Sequence, residues 1–218
     1  MCPAAAISPI VYVLDDDTAV LHALERLVKS AGFDVRTYPS ACEFLAAPRP
    51  NRPSCLVVDV RMPGLSGLDL QESLATSGWS SPLIFITGHG TVPLSVRAMR
   101  AGAVDFLQKP FEDDEILDSI REAVEREMDA WDARLRRSEI EKQIETLTPR
   151  EHEVFALVVT GLPNKRIAGQ LGTSEKTIKV HRARVMEKMG AGSLAALVRM
   201  AQETERPVPH ERAAAMSP

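Results

Sequence analysis

The segment from Cys55 to Gly67, which reads CLVVDVRMPGLSG, constrains the fold more than any other part of the chain. Its apolar, partly β-branched residues lead directly to Asp59, and a Pro-Gly break and a small-residue turn follow. A continuous apolar run bounded by turn residues predicts a strand that is covered on both faces of a sheet. Ligands gather at the carboxyl ends of strands in open parallel sheets, so Asp59 is placed for chemistry. The alternative is a loop aspartate without function, and the residues at neighbouring strand ends distinguish the two.

The first part of the chain alternates apolar runs with helical patterns. We predict strands at 10–14, 35–38, 55–59, 83–87 and 104–108, with a helix after each and the last helix opening near Glu112. Five strand-helix units in succession are the pattern of an α/β, doubly wound, five-stranded parallel sheet.

The second part predicts four short helices and no strands. Thr148-Pro149-Arg150-Glu151 is a helix start, with threonine as cap, proline in the first turn and glutamate three residues after the cap. This helix should end at Gly161, and helices follow at about 164–171, from the Ser174 cap to Gly190, and from Ser193. The chain therefore continues as an all-α four-helix domain.

These patterns divide the chain into an acidic domain at 8–128, a helical linker at 129–146, a mildly basic domain at 147–205 and a disordered tail at 206–218. Ile140, Ile144 and Leu147 permit a short helical pairing seam between two copies of the chain. A single solvated helix that docks on its own domain is the alternative.

The cysteine pattern and the hydropathy of the sequence indicate the cellular compartment in which the protein is expected. The three cysteines are an odd number without CxxC spacing, which argues against a disulfide framework and a zinc site. No secretion signal and no apolar run of membrane-spanning length is visible. We therefore expect a cytoplasmic protein with no membrane partner.

Acidic and cationic residues follow the other predicted strands. Asp15 and Asp16 end the first strand, beside Asp59 if the first and third strands are neighbours, while Thr87 and Lys109 end the fourth and fifth. Three carboxylates in one place repel one another and need a cation, and an all-oxygen set suits Mg²⁺. The lysine and the hydroxyl suit an arriving dianion, such as a phosphoryl group that moves in line onto a carboxylate oxygen.

Over residues 8–128 the sequence resembles the receiver domain of two-component response regulators, which has a flavodoxin-like sheet. The resemblance is carried by Asp15-Asp16, Asp59 in DVRMPG, Thr87 in ITGHG, Phe106, and Lys109 in FLQKPF. It implies that Asp59 accepts a phosphoryl group from a sensor histidine kinase.

The resemblance also assigns roles around Asp59. Asp16 and Asp59 would bind Mg²⁺ directly with the backbone carbonyl of Arg61, and Asp15 would act mainly through water. Asp17 is then a solvated residue at the start of a helix. His89 lies beside the site in sequence, where it either influences the lifetime of the acyl phosphate or is an exposed loop residue.

The remaining implied roles concern catalysis and switching. Lys109 would pair with a phosphoryl oxygen across a cis Lys109-Pro110 bond. Thr87 would move toward the phosphoryl group, and Phe106 would fill the space that it leaves. Together these motions would remodel the face formed by the fourth helix and the fifth strand.

The third helix of the second domain has a cationic face. Lys176, Lys179, Val180 and Ala183 recur at helical spacing on the side opposite to Ile178, Val185 and Met189, and Arg182, Arg184 and Lys188 flank them. Such a face suits insertion into a DNA major groove. A solvated charged surface is the alternative.

Residues 147–202, with the segments GLPNKRIA and TIKVHR, resemble the LuxR-type helix-turn-helix, and the two domains together resemble a FixJ-type response regulator. The resemblance implies that Lys179 and Val180 read base edges, with Ala183 at a third reading position. Phosphate contacts are implied for Lys165, Thr173, Ser174, Lys176, Arg184 and Lys188.

The leading hypothesis is a non-enzymatic, phosphorylation-dependent transcription regulator that forms a homodimer and binds double-stranded promoter DNA, with RNA polymerase as a further partner. An aspartyl-phosphate hydrolase is one alternative, although such enzymes of the haloacid-dehalogenase kind carry a second acid where this chain has Arg61. A small-molecule-sensing LuxR-type regulator and a protein-binding basic domain are the others.

Overall fold

Five parallel strands form one sheet in the first part of the chain. The computed structural model describes residues 8–88 and 90–204. The strands are β1 (Ile10–Leu14), β2 (Asp34–Tyr38), β3 (Ser54–Asp59), β4 (Leu83–Thr87) and β5 (Asp105–Gln108). Their order across the sheet is β2-β1-β3-β4-β5, which is the doubly wound order with β1 and β3 adjacent. The predicted α/β fold class is confirmed.

Helices cover both faces of this sheet. They are α1 (Thr18–Ser30), α2 (Ala41–Ala46), α3 (Gly67–Thr76), α4 (Val92–Arg100) and the long α5 (Asp113–Glu145). One core lies on the face that includes Tyr12, Phe44 and Phe85, and a second lies on the face that includes Val57, Ile84 and Ile120. Every residue of β1, β3 and β4 is buried, as their unbroken apolar runs predicted.

The remaining helices are α6 (Pro149–Val158), α7 (Asn164–Gln170), α8 (Glu175–Lys188) and α9 (Leu194–Glu203). The predicted capping box is present, since the Thr148 side chain accepts from the backbone N–H of Glu151 and the Glu151 side chain accepts from that of Thr148. The prediction of a four-helix second domain is therefore confirmed.

The chain divides into two compact units between Asp132 and Ala133, within α5. Ile140, Ile144 and Leu147 are buried in the core of the second unit, with Val154, Ile178 and Leu197 among their companions. Two interpretations were open for these residues, a pairing seam between two copies and a single helix docked on its own domain. Their burial favours the second, because the apolar spacing that suits a coiled coil also suits one helix packed in its own domain. Much of the predicted 129–146 linker therefore belongs to this second core.

The structure also bears on the predictions for membrane spans and for cysteines. Over the described ranges, no helix combines the length and the apolar character that a bilayer span requires. Cys42 is exposed and Cys55 is buried, both as free thiols, and burial raises the pKa of the Cys55 thiol to about 12. The predictions for Cys2, His89 and the tail from residue 206 onward fall on residues outside the described ranges.

Candidate phosphoacceptor site and DNA interface

Two acidic side chains meet where β1 and β3 end. The register pairs Leu14 with Val58, so Asp15 and Asp59 follow side by side at the carboxyl edge of the sheet. Both are buried, with 1% and 5% of their surfaces exposed. Buried carboxylates need charged or hydrogen-bonding partners, so this edge must supply them.

Lys109 supplies the positive charge. It follows β5, and its ammonium donates to Asp15 Oδ2 and, at 2.8 Å, to Asp59 Oδ1. The backbone holds it in place, because the Lys109 N–H donates to the carbonyl of Thr87 at 2.8 Å. The Lys109-Pro110 bond that follows is cis. The structure thus brings together three residues that lie far apart in the sequence.

Burial and charge oppose each other in this cluster. Burial raises the pKa of Asp15, and the hydrogen bond from Lys109 offsets only part of that rise. For Lys109, burial lowers the pKa, but the hydrogen bonds to Asp15 and Asp59 outweigh it, so the net shift is upward. Lys109 is therefore an ammonium at neutral pH, ready to pair with an arriving anion.

The backbone around Asp59 is tightly arranged. The Arg61 N–H donates to Asp59 Oδ2 at 2.5 Å. Gly67, the first residue of α3, leaves room beside the strand, because a Cβ there would lie 2.5 Å from the Asp59 carbonyl oxygen and 3.1 Å from Phe85. Glycine at this position lets the helix start against the strand that carries Asp59.

The three consecutive aspartates have different environments. Asp15 Oδ1 accepts from the backbone N–H of Asp17 at 2.9 Å, while the Asp17 side chain caps α1 by accepting from Ala19 at 2.8 Å. Asp17 is thus the helix-start residue that the sequence predicted. Asp16 lies between them and is exposed to solvent.

The donor chemistry of this edge fits Mg²⁺. Across residues 8–88 and 90–204, no three histidine, cysteine or acidic side chains are gathered closely enough to form a metal site by themselves. The predicted direct ligands include only two side chains, Asp16 and Asp59, with the Arg61 carbonyl as the third. Asp15, Asp16 and Asp59 outnumber the single ammonium of Lys109 by two, and their oxygens are the ligands that a hard divalent cation prefers.

Thr87 and Phe106 lie on adjacent strands next to this cluster. Thr87 is fully buried at the end of β4, whereas Phe106 on β5 is half-buried and packs on Phe85 with ring centroids 6.3 Å apart. Gly90, in the loop after β4, lies close to both side chains. A Cβ at this position would lie 3.3 Å from the Phe106 ring and 3.4 Å from the Thr87 methyl group. The space around both predicted switch residues is therefore limited.

Helix α4 carries an apolar surface that sequence analysis missed. Val92, Val96 and Met99 lie one turn apart along it and are 76%, 42% and 45% exposed. Only Ala98 of this helix is buried, and Leu94 is partly buried. The spacing was visible in the sequence, but spacing alone does not tell which side of a helix faces the core.

Helix α8 presents the predicted cationic face. Ile178, Val185 and Met189 are fully buried, as predicted, and Ser174 caps the helix by accepting from the Thr177 N–H at 3.1 Å. The exposed positions of this helix and of α7 include Lys165, Lys176, Lys179, Val180, Ala183 and Arg184. Val180 is 48% exposed, so its methyl groups are available for contact.

Two predicted DNA contacts also form hydrogen bonds within their own domain. The exposed residue Lys188 donates from its ammonium to Glu151 at 2.7 Å and to the Thr146 carbonyl at 2.9 Å, so a phosphate contact by Lys188 would compete with these bonds. Arg182 is half-buried and donates to Asn164 Oδ1 at 3.1 Å, which joins α8 to α7. Neither contact has a signal in the sequence, because the partners are at least 18 residues away.

The Glu151–Lys188 pair joins two helices of the second unit. Glu151 on α6 is buried, and the hydrogen bond from Lys188 lowers the pKa of its carboxyl to about 2, with help from the Thr148 backbone. Arg150 makes a comparable link, since it donates to the Leu171 carbonyl at 2.6 Å, just after α7. The first contact ties the end of α8 to α6, and the second ties α6 to the turn between α7 and α8. Thr173 also lies in this turn, where its N–H donates to the Ala168 carbonyl at 3.0 Å.

Comparison with known proteins agrees with this division. Residues 11–121 match the family described as response regulator receiver domain, and residues 145–201 match bacterial regulatory proteins of the luxR family. Nodulation protein W of Bradyrhizobium diazoefficiens is 48% identical over 198 residues, which cover 91% of this chain and 87% of that protein. Transcriptional regulatory protein FixJ of Rhizobium meliloti is 46% identical over 195 residues, 88% of this chain and 94% of that protein.

A solved structure extends the similarity to the fold. The low-resolution structure of response regulator StyR superposes with a TM-score of 0.80 at 45% identity, and the match covers 90% of this chain and 99% of that one. The alternative of a small-molecule-sensing first domain is therefore wrong, because that part of the chain matches a receiver. The chain belongs to the FixJ-type response regulators, in which a receiver domain precedes a LuxR-type DNA-binding domain.

Proposed function

We propose that Asp59 accepts a phosphoryl group from a sensor histidine kinase and that this modification controls promoter binding through α8. The observation that carries the proposal is the buried Asp59 carboxylate at the end of β3, with the Lys109 ammonium 2.8 Å away. A carboxylate held beside a fixed cation can act as a nucleophile, while the cation stabilises the negative charge of the phosphoryl oxygens.

The proposed step exchanges one bond for another. A carboxylate oxygen of Asp59 forms the new P–O bond in line with the P–N bond of the phosphohistidine, and the histidine nitrogen leaves with the bonding pair. Lys109 pairs with a phosphoryl oxygen as the group arrives. Mg²⁺, held by Asp16, Asp59 and the Arg61 carbonyl with Asp15 acting through water, would neutralise part of the added negative charge.

The response is proposed to pass through α4. Movement of the Thr87 hydroxyl toward the phosphoryl group would leave space for Phe106, which lies on the neighbouring strand. Helix α4 has one fully buried residue, Ala98, and packs further through the partly buried Leu94, so a modest change in these contacts would shift its position. Its exposed residues Val92, Val96 and Met99 would then pair two receivers into a homodimer.

The DNA-binding step is proposed to use the exposed face of α8. Lys179, Val180 and Ala183 would read base edges in the major groove, and a valine methyl group suits contact with a thymine methyl. Phosphate contacts would come from Lys165, Thr173, Ser174, Lys176 and Arg184. Two such domains in a dimer would address half-sites roughly 34–36 Å apart, and RNA polymerase would be the downstream partner. The cytoplasmic location stays a prediction.

Labelling with a small phosphodonor tests the site. Acetyl phosphate with Mg²⁺ should label the wild-type chain, and Asp59→Asn should abolish this because the amide cannot form the acyl phosphate. Asp17→Asn is the matched control and should label normally, since asparagine also caps a helix. Full labelling of the Asp59→Asn protein would assign the phosphoryl group to another residue.

The hydrolase alternative is tested with the same preparation. The position two residues after Asp59 holds an exposed cation, Arg61, in place of a second acid. We therefore expect no multiple-turnover hydrolysis of phosphomonoesters by the purified protein. Steady turnover that Asp59→Asn eliminates would instead support an enzyme.

A further inference from the structure

The two ends of α4 are held differently. At the amino-terminal end, Thr91 occupies the cap position, but its side chain makes no capping hydrogen bond. The Ser95 hydroxyl donates to the Val92 carbonyl within the helix, and in the described ranges no side chain of residues 92–96 hydrogen-bonds to another element. Packing at this end rests on the partly buried Leu94. The amino-terminal end of α4 is therefore lightly held.

The carboxyl-terminal end of α4 is closed by backbone hydrogen bonds and joined to the sheet. The Ala103 N–H donates to the Ala98 carbonyl at 3.1 Å, and Gly102 before it has a φ of +94°, the left-handed conformation that this kind of helix end requires. Ala103 is buried. The next N–H, from Val104, donates to the Leu83 carbonyl at the start of β4 at 2.8 Å. This end of the helix is therefore fixed in place.

Gln71 on α3 adds a side-chain link to this same end. Its side chain is buried, and its Nε2 donates at 3.1 Å to the carbonyl of Ala101, the residue that follows the last turn of α4. A buried amide needs its hydrogen bonds, so this contact is costly to break. A second link joins Glu72 and Arg97 at 2.7 Å, but both side chains are exposed and the pair contributes little. Of these two links between α3 and α4, the one from Gln71 is therefore the stronger.

A cleft of about 190 Å³ borders the hydrogen bond between Gln71 and Ala101. Leu74 and Trp79 line it from the side of α3, and Gly102 lines it at the end of α4. Close-packed atoms resist displacement, whereas a cleft leaves the two helices with fewer atoms in contact. The hydrogen bond from Gln71 therefore carries more of the restraint between α3 and α4 than a single bond in a filled core would.

We propose that Gln71 is a positioning residue, which holds the carboxyl-terminal end of α4 as a pivot, so that the helix responds to phosphorylation by swinging its amino-terminal end. This inference rests on the proposed function, in which α4 moves and its apolar surface pairs two receivers. At about 1.5 Å of rise per residue, Val92 lies roughly 13 Å from Ala101 along the helix. A small rotation about this pivot therefore displaces Val92 most and Met99 least among the exposed apolar residues of α4.

Amide hydrogen exchange of the unphosphorylated full-length protein, in EDTA, tests the anchor by itself. Gln71→Met removes the donor and nearly conserves side-chain volume, and water can replace the amide at the exposed Ala101. The protection factors of the Ala101, Gly102 and Ala103 amides should fall about fivefold, the effect expected for one hydrogen bond. Glu72→Gln is the matched control, because it removes the exposed link and should leave these protection factors unchanged. Unchanged protection in Gln71→Met would overturn the anchor.

Sedimentation velocity after labelling with acetyl phosphate and Mg²⁺ tests the role in signalling. Gln71→Met should label at Asp59 as fully as the wild type, but its dimer dissociation constant should be about fivefold higher, because α4 without its anchor no longer holds the apolar surface in one orientation. Glu72→Gln should dimerise like the wild type.

Two other outcomes are distinguishable. A purely structural role of Gln71 would lower the thermal midpoint and leave the dimer dissociation constant of the labelled, folded protein unchanged, and this result would overturn the pivot. Failure of the wild-type protein to label or to dimerise would overturn the proposed function instead, while the exchange experiment would still decide whether Gln71 anchors α4.

Discussion

At the residue scale, Lys179 and Lys188 lie on one helix but differ in the contacts that they make within the protein. Lys179 is exposed on the outward face of α8, whereas the Lys188 ammonium is bound to Glu151 and to the Thr146 carbonyl. An ammonium that already has two acceptors must break those bonds before it can reach a DNA phosphate. The number of lysines and arginines on α8 therefore overstates how many of them are available to bind DNA.

Lys179→Ala should cost about 1–3 kcal/mol of binding free energy at the target promoter and reduce discrimination against random DNA. Lys188→Ala, the matched control on the same helix, should lower the thermal stability of the second unit and leave this discrimination unchanged. Fluorescence anisotropy on both DNAs and a thermal melt measure the two effects. If Lys179→Ala weakened both complexes equally, Lys179 would be a phosphate contact.

At the element scale, α3 can start close to β3 because its first residue, Gly67, has no Cβ atom. Gly67→Ala would bring a Cβ to 2.5 Å from the Asp59 carbonyl oxygen, and backbone must move to relieve the overlap. We expect a loss of about 1–3 kcal/mol in the free energy of unfolding and slower labelling by acetyl phosphate. Gly88→Ala is the control, because a Cβ there meets no atom within 4 Å. Urea unfolding and labelling rates should separate the two variants.

The α6–α8 contact should depend on pH. The pKa of Glu151 is about 2 in the folded protein and about 4.5 without its partners, so the ionised form stabilises the fold. Since the folded pKa is the lower one, this stabilisation is present above pH 4.5 and is lost as pH falls from 4.5 toward 2. The protection factors of α6 and α8 amides, which correct hydrogen exchange for its own pH dependence, should fall over that window.

Glu151→Gln should remove this part of the acid sensitivity and increase exchange at neutral pH, because Lys188 loses its anionic partner. Glu153→Gln is the control, as Glu153 is half-exposed in its pair with Arg150 and contributes little. The same acid response in wild type and Glu151→Gln would show that another group is responsible.

At the scale of the whole molecule, pairing of receivers should require the apolar surface of α4. Val96→Glu and Met99→Glu each place a charge on this surface, and burying it in a dimer would be unfavourable. Phosphodonor should then label Asp59 normally without producing dimers in sedimentation velocity. Ala75→Glu, on the exposed side of α3, should still dimerise. Dimers of normal stability in the α4 variants would move the interface elsewhere.

Sequence patterns predicted local features better than distant contacts. The strand that ends at Asp59 and the box formed by Thr148 and Glu151 are encoded by neighbouring residues, and both were predicted. The contacts of Ile144 and Lys188 could not be predicted from neighbouring residues, because the core and the carboxylate that they contact lie in other helices.

The weak attachment of α4 has a consequence for signalling. Helix α4 buries Ala98 fully and Leu94 only in part, so under the proposed function its two positions would differ little in free energy and the unmodified receiver would occupy the active one part of the time. A phosphoryl group would then change how often that state is occupied instead of creating it. Transcription under such control would have a nonzero floor in unstimulated cells.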